Sequence, residues 1–200
     1  TQLNNMIPKF IRLGVETILK IICEKIIIRD IIIIKNNNKS NGLIDELYIK
    51  AENIILNKIN ISQINIKIRD IVLRFALNNR KFFIDNCYAV TYMRLTKDNI
   101  NKTLFNKKWK NLKNSIESFI SMNFQSVEIF NKSLYFISSD GVSNKNIDYI
   151  LQYDKNNISL VNNTNQEKLS IFNDKNIIVK NLLCCESHIE LEMVSKIIFN

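Results

Sequence analysis

The stretch KIIIRDIIIIK, residues 25–35, decides the fold that this sequence predicts. Seven of its eleven residues are isoleucine, and Arg29 and Asp30 divide them into two groups. β-branched side chains favour extended backbone, and an unbroken apolar run is typical of a strand that is covered on both faces. On strict alternation, each face carries isoleucines and one charged residue. One face would hold Ile26, Ile28, Asp30, Ile32 and Ile34, and the other Ile27, Arg29, Ile31 and Ile33.

An amphipathic helix is predicted before this strand. Between residues 3 and 25 the charged side chains recur every three or four residues, which is the period of an α-helix. They are Lys9, Arg12, Glu16, Lys20 and Glu24. Apolar residues fill the remaining faces, so the polar stripe is narrow. Glu16 and Lys20 are also spaced for a favourable ion pair one turn apart.

Alternation of apolar and polar residues predicts further strands after the first one. Residues 44–56 contain regularly placed apolar residues, and isoleucines alternate with polar residues over residues 59–68. The phase of this second alternation slips once, at Ser62 and Gln63. A bulge or a short corner there would keep both isoleucine runs facing inward.

The rest of the chain predicts a strand, a pair of helices and then a meander of short strands. The strand covers residues 81–94 and the helical region residues 95–120, with Thr96 placed to cap its N-terminus. Past Met122, seven apolar segments recur roughly every ten residues between Asn-rich turns, which indicates antiparallel neighbours. They are FQSVEIF, SLYFIS, IDYILQY, ISLVN, KLSIF, NIIVK and HIELEMV.

The order of elements predicts the α+β class rather than a parallel α/β sheet, because helices and strands come in separate groups. A chain of 200 residues with 46% hydrophobic content can bury one sizeable core. We therefore expect a single domain over residues 1–200, in which residues 121–200 complete the sheet.

The charge balance favours acidic partners. The net charge of +9 and the pI near 9.4 suit nucleic acid, an anionic membrane surface or an acidic protein. No uncharged apolar run reaches the roughly 18 residues of a membrane-spanning helix, so we expect no transmembrane span. Lys9, Arg12 and Glu16 interrupt the apolar region that a signal peptide would need. The four cysteines show no disulfide framework, which favours a reducing compartment.

The sequence carries no motif typical of an enzyme. Its three glycines are isolated, which excludes the glycine-rich phosphate loops of the Rossmann and Walker types. His188 is the single histidine and lies in an alternating strand pattern. Cys184, Cys185 and His188 lack a fourth ligand at a spacing that suits a structural zinc site. We therefore predict a protein without catalytic residues and without a metal.

A cationic segment around the single tryptophan is the candidate binding surface. Seven cations lie within twenty residues: Arg94, Lys97, Lys102, Lys107, Lys108, Lys110 and Lys113. Trp109 lies among them, and an indole beside lysines is typical of a helix that rests on lipid headgroups, where each cation contributes about 1 kcal/mol. A solvated helix face explains the same pattern equally well. Nucleic acid is disfavoured, because aromatic residues do not alternate with the basic ones.

Two segments also carry a family resemblance. Residues 42–51, GLIDELYIKA, match a pattern in which a glycine precedes I-D/P-x-V/L-x-I-x-A. Residues 95–104, LTKDNINKTL, approximate the pattern L-T-E-x-D-L-N-x-x-L. These patterns resemble the LmeA-like phospholipid-binding proteins, particularly their cyanobacterial members. The opening helix, PKFIRLGVETILK, is similar to the amphipathic start of that family. The resemblance covers about residues 6–120, and Lys97 and Asn99 depart from it where the family tends to have acids.

The resemblance implies a long curved antiparallel sheet with helices on one side, similar to tubular lipid-carrying proteins. The strand at residues 25–35 would then place one face against the N-terminal helix and the other along an apolar groove. The groove residues would be Ile26, Ile28, Ile32, Ile34, Ile64, Ile66 and Ile68. We expect no cofactor other than a bound lipid.

The leading hypothesis is a non-enzymatic, peripheral lipid-binding or membrane-surface protein whose basic helix faces an anionic phospholipid surface. The alternative is an interaction or linker subunit that docks onto a large photosynthetic complex, a phycobilisome or a photosystem. The heavy use of Ile, Asn and Lys is typical of AT-rich genomes, such as those of plastids. We expect the protein in the cytoplasm or the plastid stroma, peripheral at the thylakoid membrane, with no nucleic-acid partner.

Overall fold

The computed structural model describes residues 2–35, 44–71, 73–76, 81–84, 87–138 and 148–197. Within them, the helices are α1 (Gln2–Ile22), α2 (Lys97–Leu104) and α3 (Lys110–Ile120), with a 3-10 helix at Lys107–Trp109. The first strands are β1 (Lys25–Lys35), β2 (Ile44–Leu56), β3 (Ile59–Ile71), β4 (Leu73–Ala76), β5 (Lys81–Ile84) and β6 (Cys87–Thr96). The later strands are β7 (Ser126–Phe130), β8 (Ser133–Ile137), β9 (Tyr149–Asp154), β10 (Asn157–Asn162), β11 (Lys168–Asn173), β12 (Ile177–Cys184) and β13 (His188–Ile197).

These strands pair in an antiparallel manner throughout. A six-stranded sheet has the order β1-β2-β3-β6-β13-β12, a five-stranded sheet has the order β11-β10-β9-β8-β7, and β4 pairs with β5 in a separate hairpin. The combination of helices with antiparallel sheets confirms the α+β class. The seven short strands predicted after Met122 are present as β7 to β13.

The prediction that residues 121–200 complete a single sheet is wrong. β12 and β13 join the six-stranded sheet, whereas β7 to β11 form the second sheet. The reason is packing, because apolar residues of both sheets meet in shared clusters, as Ile158 of β10 does with Val179 of β12 and Leu191 of β13. Stacking two sheets face to face buries the apolar faces of both, which a single extended sheet would leave exposed.

The six-stranded sheet has a covered face, called the inner face below, and an open outer face. Ile11, Val15 and Leu19 of α1 pack on the inner face at the β1 end of the sheet, against a cluster that includes Ile31 and Leu47. α2, α3 and the five-stranded sheet cover the inner face at the β13 end. None of the helices in the described ranges is long and apolar enough to cross a bilayer.

β3 turns a corner at Ser62 and Gln63, where the sequence predicts one. The β3–β6 ladder begins with the pair Gln63 and Arg94, and Ser62 Oγ donates to the Arg94 carbonyl oxygen at 2.7 Å. Ile61 and Ile64 are both buried in one cluster although they are three residues apart. A flat strand would point these two side chains to opposite faces, so the corner is what brings both inward.

α2 begins at the predicted cap and is attached to β3. The Thr96 side chain accepts a hydrogen bond from the Asn99 N–H, and the Asn99 side chain accepts one from the Thr96 N–H, which forms a capping box. The N–H of Asn60 donates to Thr103 Oγ1 at 2.9 Å. This contact fixes the cationic segment beside the turn that connects β2 to β3.

Candidate functional site

A large exposed apolar surface lies on α1. Only one side of the helix packs on the sheet, and five of its large apolar side chains are mostly exposed. They are Phe10 (64% exposed), Leu13 (61%), Ile18 (58%), Ile21 (75%) and, at the C-terminal end, Ile22 (53%). A Cβ atom added to Gly14 would meet no atom within 4 Å, so the backbone there is open. We call Phe10, Leu13, Gly14, Ile18 and Ile21 the α1 face, and contiguous apolar surfaces of this kind mark interaction sites.

Cations lie along the polar stripe of the helix, and Lys9 and Lys20 are the ones next to the α1 face. Lys9, Arg12 and Lys20 are all exposed. Lys20 Nζ donates to Glu16 at 2.7 Å, and this hydrogen bond lowers the pKa of the Glu16 carboxyl. Lys9 and Arg12 form no ion pair within the described residues, although the charge of Arg12 also lowers the pKa of the Glu16 carboxyl. Their charges are therefore available to an external anion.

The predicted cationic segment is partly neutralised within the protein. Arg94 Nη2 lies 2.8 Å from Glu190 Oε1, and Lys97 Nζ lies 3.0 Å from Glu128 Oε2. Both cations therefore already have a carboxylate partner. Arg94 is a member of the β6–β13 ladder rather than of the helices that follow it, so it does not share a helix face with the lysines.

Lys113 is also held inside the protein. Its ammonium group pairs with Glu117 one turn further along α3. It lies 5.1 Å from the ring centroid of Phe105 and 5.0 Å from that of Phe124. A cation over aromatic faces with a carboxylate partner stabilises the fold, and an external anion would have to compete with all three groups.

Lys108 and Trp109 contact the tip of the β2–β3 hairpin. Lys108 Nζ donates to the Asn57 side chain, and Trp109 Nε1 donates to the Asn57 carbonyl oxygen at 3.3 Å. The next residue, Lys58, bonds to Glu24, which follows the C-terminal end of α1. The Lys58 hydrogen bond, with a smaller contribution from the charge of Lys108, lowers the pKa of the Glu24 carboxyl. The hairpin tip thus connects the cationic segment to α1.

Three lysines of the predicted surface are exposed and have no side-chain partner in the part of the chain that the structure describes. They are Lys102, Lys107 and Lys110. Lys107 and Lys110 flank the two residues that contact the hairpin tip, so they lie on the side of the molecule that includes the end of α1. The structure therefore divides the predicted anionic-surface residues into a free group and a paired group.

A β-bulge in β1 separates the isoleucines that were predicted to line one groove. Ile28 pairs with Ala51 and Asp30 pairs with Lys50, so Arg29 is an extra residue in β1. One extra residue reverses the alternation that follows it, because side chains alternate with a period of two. The inner face therefore receives Ile26, Ile28, Ile31 and Ile33, while Ile27, Ile32 and Ile34 are exposed. The strict alternation expected from the sequence is wrong beyond Arg29.

The other three predicted groove residues lie on the inner face. Ile64 is buried, and Ile66 and Ile68 are partly buried against the same clusters. The side chains of α1 pack on the cluster that contains Ile66 and Ile68. This part of the inner face is consequently filled by helix side chains and is not an open groove.

An apolar cavity of about 180 Å³ lies between α2, α3 and the two sheets. Its lining includes Leu95, Leu104, Leu134, Phe136, Leu160 and Leu182, and Thr103 is the polar residue among the described lining. The predicted groove isoleucines are not part of that lining. Ligand pockets usually measure about 300–1,000 Å³, so this cavity suits a small apolar molecule and cannot enclose a phospholipid.

A wider groove of about 410 Å³ crosses the outer face, and most of its exposed lining surface is apolar although several charged residues border it. Its lining includes Asp30, Ile32, Tyr48, Lys50, Lys67 and Tyr92. Lys67 donates to Glu46 at 2.9 Å and to the Tyr48 hydroxyl, which itself donates to Glu46 at 2.6 Å. The hydrogen bonds from Tyr48 and Lys67 lower the pKa of the Glu46 carboxyl. The charges beside this groove largely compensate one another, and its lining includes Ile32 and Ile66 of the predicted groove.

One group of side chains could be considered for a metal. Cys185, His188 and Glu190 each place one ligand atom within 4.8 Å of the others. Glu190, however, is already bonded: hydrogen bonds from Tyr92, Arg94 and His188 lower its pKa to about 2. A metal ion would have to displace the Arg94 guanidinium from this carboxylate, so the arrangement is better described as a closed ion-pair network.

The α1 face is the feature that sequence reasoning missed. The signal was present in the narrowness of the polar stripe, because a helix on one sheet can bury only one side of itself. Apolar residues that surround all but a narrow stripe must therefore leave an apolar surface uncovered. The concentration of lysines around Trp109 instead favoured the cationic segment as the binding surface.

Comparison with protein-family models, with curated proteins and with solved structures finds no match for this chain. The resemblance to the LmeA-like family therefore stays a prediction that rests on the quoted motifs.

Proposed function

We propose that this protein is a non-enzymatic, peripheral membrane-surface protein that binds anionic bilayers through α1. The observation that supports this proposal is the α1 face, on which large apolar side chains are exposed beside Lys9, which forms no ion pair in the described ranges. A helix with one apolar face and a cationic border has the composition of helices that lie in the plane of a bilayer interface.

The energies involved are sufficient for reversible binding. Full burial of a Leu, Ile or Phe side chain contributes about 1.5–3 kcal/mol, so the four large side chains of the α1 face supply several kcal/mol even when they are only partly buried. Each cation near an anionic surface adds about 1 kcal/mol. Lys107 and Lys110, beyond the C-terminal end of α1, extend the cationic border.

Surface binding fits the described interior better than enclosure of a lipid does. The inner face beneath α1 is packed, and the cavity near α2 has only about 180 Å³. A lipid would therefore contact this protein as part of a bilayer. We propose that this bilayer is the thylakoid membrane, which the protein binds from the cytoplasm or the plastid stroma.

Flotation with lipid vesicles tests the proposal. The protein is mixed with vesicles of phosphatidylcholine alone or of phosphatidylcholine with phosphatidylglycerol, and the fraction that floats is measured. We expect flotation with the anionic vesicles at low salt and a weaker signal at high salt, because salt screens the lysine contribution. The double variant Phe10→Ser/Leu13→Ser should lose most of the binding.

A matched control separates the α1 face from apolar exposure in general. Phe130 at the β7–β8 turn is 60% exposed and Leu183 on β12 is 48% exposed, so Phe130→Ser/Leu183→Ser removes similar groups elsewhere. The control should float like the unmodified protein. Absence of flotation at low salt, or equal loss in both double variants, contradicts the proposal.

Docking onto a large photosynthetic complex is the second candidate, and the packed interior favours it because it leaves no room for a carried lipid. The same α1 face would then contact a protein surface with acidic groups around an apolar centre. Failure to float with any vesicle, together with binding to isolated thylakoid complexes that Phe10→Ser/Leu13→Ser abolishes, would select this candidate.

A further inference from the structure

β1 is an edge strand of the six-stranded sheet within the described residues. β2 pairs with one side of it, and no described strand pairs with the other. Natural proteins usually protect such edges by making them short or highly charged, since a free edge invites pairing with another chain. β1 has eleven residues and carries charges only at its ends and centre, whereas Ile27, Ile32 and Ile34 between them are exposed. The free edge of β1 can therefore pair with a strand of another chain.

The sequence of β1 is nearly the same when it is read in either direction from its centre. Three isoleucines precede the pair Arg29 and Asp30, and isoleucines follow it. An antiparallel self-pairing about this centre would place Ile28 opposite Ile31, Ile27 opposite Ile32 and Ile26 opposite Ile33. In a regular strand this register is forbidden, because it would pair each inner residue with an outer one.

The bulge at Arg29 removes this obstacle. Since the alternation reverses at Arg29, Ile26 and Ile28 share the inner face with Ile31 and Ile33. Ile27 pairs with Glu52 and Ile32 with Tyr48, which places both isoleucines on the outer face. In the self-paired register, every inner isoleucine would thus meet an inner isoleucine, Ile27 would meet Ile32 on the outer face, and Ile34 would meet Lys25.

We infer that two copies of this chain associate through β1, antiparallel, about a two-fold axis that passes beside Arg29 and Asp30. The charges at the centre are complementary in this arrangement, since Arg29 of each copy faces Asp30 of the second copy. Arg29 lies on the outer face, where its Nε is 2.7 Å from Glu52. Asp30 is exposed and has no hydrogen-bond or ion-pair partner in the described ranges. A cation from the second copy would provide one.

The pairing has a consequence for the proposed function. A two-fold axis through a β-ladder is perpendicular to the sheet, so it keeps the inner face of both copies on the same side. The dimer therefore presents two α1 faces in the same direction, which strengthens binding to one surface through multivalency. The dimer itself does not depend on the membrane proposal, because it is measured without lipid.

Sedimentation of the purified protein in lipid-free buffer tests the inference. We expect a concentration-dependent monomer–dimer equilibrium. Arg29→Asp places four acids at the centre of the ladder and Asp30→Arg places four cations there, so each should raise the dimer Kd at least tenfold. A mixture of these two variants should form a heterodimer, and the double variant Arg29→Asp/Asp30→Arg should recover the homodimer.

Arg69→Asp is the matched control, because Arg69 is as exposed as Arg29 and also pairs with a carboxylate, that of Glu46 at 3.1 Å. It lies on β3, inside the sheet, and should leave the dimer Kd unchanged. Circular dichroism confirms that each variant is folded. A protein that is monomeric at every concentration, or a dimer that neither central charge reversal weakens, overturns the inference and leaves the β1 edge to a segment of the chain or to another protein.

Discussion

Arg94 and Glu190 form an ion pair across the β6–β13 ladder, with Nη2 and Oε1 2.8 Å apart. Tyr92 and His188 also bond to this carboxylate, and Tyr92 makes the largest contribution to lowering its pKa to about 2. Three side chains from two neighbouring strands thus bind one carboxylate. The network lies on the outer face of β6 and β13. Side chains on the inner face of the same two strands line the apolar cavity.

This network predicts a pH-dependent contribution to stability. The folded-state pKa of Glu190 is about 2, below the ordinary value of 4.5. The stabilisation is therefore fully present above pH 4.5 and is lost as the pH falls from about 4.5 towards about 2. Glu190→Gln should lower the free energy of unfolding by about 1 kcal/mol at pH 7, a modest value because Arg94 is partly exposed.

Urea denaturation of the unmodified protein and of Glu190→Gln at pH 7 and pH 3 measures this effect. The difference between the two proteins should be smaller at pH 3. Glu128→Gln, which removes the exposed pair with Lys97, is the control and should cost less than about 0.5 kcal/mol at pH 7. A Glu190→Gln cost that does not decrease at pH 3 would contradict the assignment.

The capping box of α2 leads to a second prediction. Thr96→Ala removes the hydroxyl that accepts from the Asn99 N–H, so it should lower the free energy of unfolding by about 1 kcal/mol. Thr96→Ser keeps the oxygen and should cost much less. Thermal or urea unfolding measures both variants, and equal losses for alanine and serine would show that the methyl group, not the cap, stabilises this position.

Much of the fold could be predicted because its signals are local. The Thr96 cap, the corner at Ser62 and the seven strands after Met122 follow from spacing and turn composition alone. The assignment of β12 and β13 to the first sheet could not be predicted, since it depends on pairing between His188 and Thr96, which are distant in sequence.

The bulge at Arg29 is an intermediate case. Strict alternation would place either Arg29 or Asp30 on the inner face, among isoleucines, whereas one extra residue allows both charges to reach solvent. The adjacent charges were therefore a usable signal. The binding surface was harder to locate, because the partners of Arg94, Lys97 and Lys113 come from other parts of the fold, and these partners determine which cations are free.

The β7–β8 hairpin gives a third prediction. Asn131 and Lys132 form its two-residue turn with φ of 48° and 65°, and two positive φ values define the turn that favours Asn-Gly. Lys132→Gly should raise the free energy of unfolding by about 0.5–1 kcal/mol, because glycine adopts this conformation without strain. Urea denaturation measures the change.

The β2–β3 hairpin provides the comparison for that prediction. Its turn residues, Asn57 and Lys58, have φ of 53° and 66°. Lys58→Gly also relieves strain but removes the ion pair with Glu24, so its net effect should be smaller than that of Lys132→Gly. The opposite order would show that strain in these turns is not what limits stability.

The apolar cavity near α2 leads to the last prediction. Val127 is almost fully buried and lines the cavity of about 180 Å³, so Val127→Ile can extend a methyl group into empty space and should stabilise the protein by about 0.5–1 kcal/mol. Val161 is also fully buried but is not among the described cavity-lining residues. The same enlargement there must displace packed neighbours, and Val161→Ile should destabilise by about 1–3 kcal/mol. Urea denaturation of both variants decides the matter, because equal destabilisation would mean that the neighbours of Val127 already occupy the space.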